Sequence, residues 1–126
     1  MHILLIEDSR LLRESIMEML MDCNNLIVDD FATTKQGAIS LLNTKQYDLM
    51  IADIELQEGT GFDVVKHTRS TDYAFKPPIT MMLTNHTNNY FKRLAHQLEV
   101  KYFFDKSMDF EKAIQTIQDE ANNFAH

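Results

Sequence analysis

Five residues whose side chains could do chemistry each come just after a short apolar run: Glu7, Asp8, Asp53, Thr84 and Lys106. If those runs lie side by side, three carboxylates, one hydroxyl and one ammonium meet at one edge. Clustered carboxylates repel one another, so a cation is expected among them. An oxygen-only ligand set, with no Cys or His cluster beside it, suits Mg²⁺, which keeps waters and bridges to phosphate. Lys106 adds a second point charge and Thr84 a neutral donor. Such a group is suited to a phosphoryl moiety. Metal and ammonium would neutralise its oxygens, and a carboxylate can accept it covalently.

The elements that must position these residues alternate along the chain. Ile3 to Ile6 is a continuous apolar run, as expected of a strand buried on both faces. Leu12, Ile16, Met19, Leu20 and Cys23 come next at helical spacing. Leu26 to Val28 reads as a second strand, and Thr33 to Gln36 has the form of a capping box opening a helix through Ile39 and Leu42. Leu49 to Ala52 is a third strand, Gly59 and Gly61 mark a turn, and a helix is expected from about Phe62. Pro77-Pro78 precedes a fourth strand, Ile79 to Leu83, with a helix striped by Phe91, Leu94, Ala95 and Leu98. Val100 to Phe104 is a fifth strand, and Phe110, Ala113, Ile114, Ile117, Ala121 and Phe124 stripe the last helix. Five strand–helix units predict an α/β fold, a single doubly wound five-stranded parallel sheet with helices on both faces. In such sheets chemistry gathers at the carboxyl ends of the strands.

Composition narrows the function classes. The 126 residues fit one compact domain, and a 44% apolar share allows a real core. The net charge of −7 disfavours nucleic acid and anionic membrane as partners. No stretch approaches the roughly 18 apolar residues of a membrane span. The four apolar residues before Glu7 are too few for a secretory core, which needs roughly 7–15. One cysteine, Cys23, suits a reducing compartment, so a cytoplasmic location is expected. The histidines His2, His67, His86, His96 and His126 show no metal-ligand spacing, and core packing is expected for most of the eight methionines, as in Met19, Met50 and Met81.

The ordered set Glu7-Asp8, Asp53, Thr84 and Lys106, with Gly61 after the central acid and Phe103 three residues before the lysine, resembles the signature of response-regulator receiver domains. The resemblance spans essentially the whole chain. It implies a flavodoxin-like fold with strand order 2-1-3-4-5, and a stand-alone receiver over residues 1–126 with no output domain of its own. It further implies a switch of two-component signalling rather than an enzyme. Asp53 would be the phosphoacceptor. Mg²⁺ would be held by the side chains of Asp8 and Asp53, the backbone carbonyl of Glu55, and Glu7 through water. Thr84 and Lys106 would bind phosphoryl oxygens, Thr84 and Phe103 would switch, and Asn85 and His86 would form the rim. A histidine kinase or histidine phosphotransfer protein would be the donor. The output would pass to a downstream protein through the fourth helix, fifth strand and last helix.

The sequence departs from the family pattern at Asn85, where a very small residue is usual, at Ser107, where proline is common, and at Gln57-Glu58, which replace a proline-containing loop. Phe103 lacks a hydroxyl. Singly, Asp53 is a solvated turn residue, Lys106 a surface lysine and Glu7-Asp8 a helix N-terminal charge; the reading rests on their joint order. Three other functions compete. An aspartyl phosphatase normally carries a second aspartate two residues on, where this chain has Glu55. A flavodoxin-like carrier lacks its phosphate loop here, since Glu7-Asp8-Ser9-Arg10 succeeds the first strand. A pseudo-receiver would bind partners without phosphorylation.

Overall fold

The computed structural model describes residues 1–124. His126 lies outside them. Among the described residues, strands β1 (His2–Ile6), β2 (Ile27–Ala32), β3 (Leu49–Ala52), β4 (Ile79–Thr84) and β5 (Tyr102–Asp105) alternate with helices α1 (Arg10–Leu20), α2 (Lys35–Thr44), α3 (Gly61–Arg69), α4 (Asn89–Gln97) and α5 (Phe110–Phe124). All neighbouring strands are parallel, in the order β2-β1-β3-β4-β5. This is the flavodoxin-like order.

The apolar runs are continuous because the sheet is covered on both faces. Alternate side chains point to opposite faces. Leu4, Ile6, Met50, Ala52 and Met82 pack with Ala38 and Leu42 of α2, Phe62, Val64 and Val65 of α3 and Ala95 of α4. Ile3, Leu5, Leu49, Ile51, Met81 and Leu83 pack with Ile16 and Leu20 of α1 and Ala113, Ile114 and Ile117 of α5.

Helices start just above the carboxyl ends of strands, and polar caps fix where. Ser9 accepts from the Leu12 N–H, Thr34 from Gly37, Thr60 from Asp63 and Asn88 from Phe91. Thr60 and Asp63 also form a reciprocal capping box. Helix α2 is capped by Thr34, one residue later than the expected box at Thr33, because the Thr34 hydroxyl reaches the Gly37 N–H while the Gln36 N–H is taken by Glu58.

Several sequence expectations need correction. β2 runs four residues past Val28, through Asp29 and Asp30. It is an edge strand, and these acids are paired: Asp29 meets His2 and Lys45, and Asp30 meets Lys45 and the Tyr47 hydroxyl. The register shift between Ile3 and Leu4 falls opposite Asp29. β5 starts at Tyr102 rather than Val100, because the Val100 N–H is used by the Ala95 carbonyl at the end of α4. Helix α1 stops at Leu20, so Cys23 lies beyond it, packed against the α1–α5 core with Gln118 donating to its sulfur at 3.4 Å. Met50, Met81 and Met82 are buried, but Met17, Met19, Met21 and Met108 are exposed, so core packing explains fewer methionines than expected.

Gly61 has a specific steric cause. A Cβ built on it would lie 2.0 Å from the Asp53 carbonyl oxygen, and its N–H donates to the Ile54 carbonyl at 2.8 Å. The chain must pass this close for α3 to start beside Asp53. Gly61→Ala is expected to lower stability by about 1–3 kcal/mol or more through backbone displacement. Urea unfolding checks this, and an unchanged midpoint would contradict it.

Candidate functional site

The backbone ladder extends one residue past three strands and so fixes where the functional side chains begin. The Glu7 N–H donates to Ala32, the Asp53 N–H to Ile6 and the Lys106 N–H to Thr84, each at 3.0 Å. Glu7, Asp8, Asp53, Thr84 and Lys106 therefore share the carboxyl edge of the sheet, as the sequence predicts.

At its centre the Lys106 ammonium donates to Asp53 Oδ2 at 2.6 Å and pairs with Glu7 Oε1 at 2.8 Å. Asp53 is 6% exposed and Glu7 2%. Each carboxylate has its second oxygen bonded to the main chain: Asp53 Oδ1 accepts from the Ile54 N–H at 2.7 Å, and Glu7 Oε2 from the Ser9 N–H at 3.0 Å. Asp8 completes an acidic group in which one oxygen from each of Glu7, Asp8 and Asp53 lies within 4.8 Å of the others.

Burial pushes the Glu7 carboxyl above its ordinary value; hydrogen bonds from Lys106 and Ser9 pull back, and the Asp53 charge adds to the rise. Burial works against the Lys106 ammonium as well, but the bonds to Asp53 and Glu7 outweigh it and hold its pKa above the ordinary value. Lys106 is therefore a permanent cation at neutral pH. Two of the three clustered carboxylates meet this ammonium, and the group carries two formal negative charges in excess, the complement of one divalent cation. The donors are all oxygen, as Mg²⁺ requires.

Thr84 is fully buried, and its Oγ1 accepts from the His86 N–H at 3.1 Å. The His86 ring reaches across the mouth to Glu55, Nε2 to Oε2 at 2.9 Å, and packs edge-on against Phe91 of α4 with centroids 6.1 Å apart. Phe91 in turn stacks on Phe62 of α3 at 5.8 Å. Asn85 is exposed and is turned towards the Ser107 hydroxyl at 3.5 Å. Phe103 stands apart from the acids. It is half-buried in the core beneath α2, α3 and α4, beside Met82 in the sheet register.

Three supports were not anticipated. Ser9 caps α1 and anchors Glu7; its position three residues before Leu12 is a cap signal the sequence does carry. Arg13 donates to the Glu7 carbonyl at 3.0 Å and lies over the Phe31 ring at 4.3 Å, tying the end of β2 to the site; no local pattern announces it. The Glu55–His86 contact joins residues 31 apart.

The chain is a doubly wound parallel sheet with an acidic pocket and a partly buried lysine at its carboxyl edge. The family model described as response regulator receiver domain matches residues 3–118, and the chain belongs to that family. No curated protein matches it. Solved structures agree on the fold. A DNA-binding response regulator of the LuxR family from Staphylococcus aureus is 18% identical with a TM-score of 0.82, covering 96% of this chain and 98% of that one. The response regulator domain of Thermotoga maritima CheB is 18% identical with a TM-score of 0.81, covering 98% and 94%. The non-phosphorylated HemR receiver domain from Leptospira biflexa is 25% identical with a TM-score of 0.75, covering 94% and 90%. Receiver domains act as signalling switches of two-component systems, bind Mg²⁺ at an acidic pocket and interact with histidine kinases or phosphotransfer proteins. No helix among the described residues is long and apolar enough to cross a membrane.

Lys106→Met leaves Glu7 and Asp53 as neighbouring buried carboxylates. The expected cost at pH 7, without metal, is about 2–4 kcal/mol. An acid with a raised folded pKa favours the fold below its ordinary value, 4.5 for Glu7, and that contribution is lost as pH rises through the folded pKa. Removing the ammonium raises Glu7 further, so the deficit should shrink as pH falls from about 7 towards 4.5. Urea titrations in EDTA check this; a deficit independent of pH would contradict it.

Proposed function

We propose that Asp53 accepts a phosphoryl group from the phosphohistidine of a kinase or phosphotransfer protein, and that the chain signals through contacts with a downstream protein in the cytoplasm. The observation that carries this reading is the Lys106 ammonium 2.6 Å from Asp53 Oδ2 within a group of three carboxylates. An Asp53 oxygen attacks phosphorus, the bond to the donor nitrogen breaks, and an acyl phosphate remains.

Asp8 and Asp53 would hold Mg²⁺ by their side chains and Glu55 by its backbone carbonyl. Glu7 would act through a water, since Mg²⁺ usually keeps several of its own. Bound Mg²⁺ supplies charge that neutralises phosphoryl oxygens. Lys106 pairs with one phosphoryl oxygen and the Thr84 hydroxyl donates to another. The intact acid, lysine and threonine set favours this over a pseudo-receiver, and over an aspartyl phosphatase, whose second aspartate is here Glu55, an exposed residue bonded to His86.

The switch depends on what Thr84 holds. Its Oγ1 accepts the His86 N–H, so turning the hydroxyl towards a phosphoryl oxygen disturbs the loop that leads into α4. Helix α4 buries only Ala95, against five residues for α3 and four for α5, so it moves most easily. Phe103 lies beneath it, and turning further inward contributes about 1–2 kcal/mol. That is enough to bias an equilibrium that phosphorylation reads out on the α4–β5–α5 face.

Acetyl phosphate with Mg²⁺ should add one phosphoryl group to the chain by intact mass. Asp53→Asn should take none, and EDTA should abolish labelling; equal labelling of variant and wild type overturns the assignment. Asn85→Ala should change labelling or hydrolysis rates severalfold by opening the rim, and unchanged rates would show that Asn85 does not gate access. Amide NMR should show beryllofluoride shifting residues around Tyr90, Phe103 and α5 as well as the site. Thr84→Ala should accept phosphate yet transmit less of that change.

A further inference from the structure

The turn that carries Lys106 is held by a carboxylate outside the acidic group. Asp105, the last residue of β5, lies opposite Thr84 in the sheet register. Alternation puts its side chain on the α4 side of the sheet with Phe103, while Phe104 packs in the core beneath α1 and α5. Its Oδ1 accepts the Ser107 N–H at 2.7 Å and the Met108 N–H at 3.0 Å. Asp109 closes the turn from the other end. Its Oδ2 accepts the Asp105 N–H at 3.1 Å, and its own N–H donates to the Asp105 carbonyl at 2.9 Å. The bonds from Met108 and Ser107 hold the Asp105 carboxyl below its ordinary value.

The consequence for Lys106 follows from peptide geometry. Each residue has two soft backbone dihedrals, and they relate the rigid peptide planes on either side of it. The plane before Lys106 is fixed by its N–H, which donates to the Thr84 carbonyl at 3.0 Å. The plane after it is fixed by the Ser107 N–H on Asp105. Both dihedrals of Lys106 are therefore set, and with them the direction in which its side chain leaves the main chain. The lysine stem is long and flexible, yet its ammonium reaches Asp53 and Glu7 at 2.6 and 2.8 Å. A proline at position 107 could not serve in this turn, having no N–H to donate.

We propose that Asp105 is a positioning residue, whose carboxylate orients the main chain at Lys106 so that the ammonium meets a phosphoryl oxygen on Asp53. The proposal rests on the phosphotransfer reading and deepens it by adding a residue that acts only through Lys106. Acceptor geometry, rather than charge, is what Asp105 contributes, since the ammonium already has two carboxylates of its own. Without that acceptor the peptide between Lys106 and Ser107 is free to rotate, and the ammonium spends less time where the phosphoryl oxygen needs it. Mg²⁺ would rest on Asp8, Asp53 and the Glu55 carbonyl, so its binding does not depend on this peptide.

The test is beryllofluoride affinity at saturating Mg²⁺, titrated by fluorine NMR on the full chain, beside the affinity for Mg²⁺ alone from amide shifts. Asp105→Ala should weaken beryllofluoride binding about tenfold, within the roughly 100-fold that a misplacement of about 1 Å can cost. Its Mg²⁺ affinity should not weaken. Asp105→Asn removes the same charge but keeps Oδ1 as an acceptor, and should recover most of the loss. Asp105→Glu keeps the charge but moves the acceptor outward by one methylene, and should bind beryllofluoride less tightly than Asp105→Asn. That comparison stands even if Asp105→Ala does not fold. Wild-type affinity in Asp105→Ala, tighter binding by Asp105→Glu than by Asp105→Asn, or a parallel loss of Mg²⁺ binding would overturn the proposal. The absence of bound fluorine signals in wild type sinks the phosphotransfer reading itself, while bound signals in wild type with no difference among the variants sink the positioning role alone.

Discussion

The structure is organised around a partly buried ammonium held between two buried carboxylates. Lys106 meets Asp53 and Glu7 at 2.6 and 2.8 Å, where exposure is only a few per cent for either acid. Unpaired, either acid would cost several kcal/mol to bury. Paired, and bonded on their other oxygens to Ile54 and Ser9, they become fixed acceptors with excess negative charge. The parallel sheet is what makes the arrangement available. Four neighbouring strands, β1, β3, β4 and β5, each deliver a functional residue at their carboxyl end or one position past it.

That constraint propagates outward. Gly61 is glycine because α3 must begin against the Asp53 carbonyl, and Ser9 is at once a helix cap and a support for Glu7. On the other side, Thr84 is tied to His86, His86 to Glu55 and Phe91, and Phe91 to Phe62. A change at the acids thus has a contiguous route to α4. Helix α4, at the end of that route, buries a single residue, Ala95.

Much of this was legible in the sequence because burial on both faces writes a strand as an unbroken apolar run. β1, β3 and β4 were visible for that reason, and the chemistry-bearing residues stood out because each sits at the end of such a run. β2 was half hidden because an edge strand tolerates acids, and Asp29 and Asp30 look like a turn until Lys45 and Tyr47 are seen beside them. Met19 lies within α1 yet is exposed, and Cys23 packs against the core from beyond the helix, which ends at Leu20. Arg13 on the Glu7 carbonyl and His86 on Glu55 were out of reach, since each depends on how separate elements come together.

The central claim is that the Asp53 carboxylate, backed by Lys106 and a divalent cation, forms a phosphoryl site. Fluorine NMR of the chain with beryllofluoride and Mg²⁺ tests it most directly, because that complex mimics a phosphoryl group on a carboxylate. Distinct bound fluorine signals are expected in wild type, absent without Mg²⁺ and absent in Asp53→Asn. Wild-type spectra showing only free fluoroberyllates, or bound signals that survive in Asp53→Asn, would contradict the account.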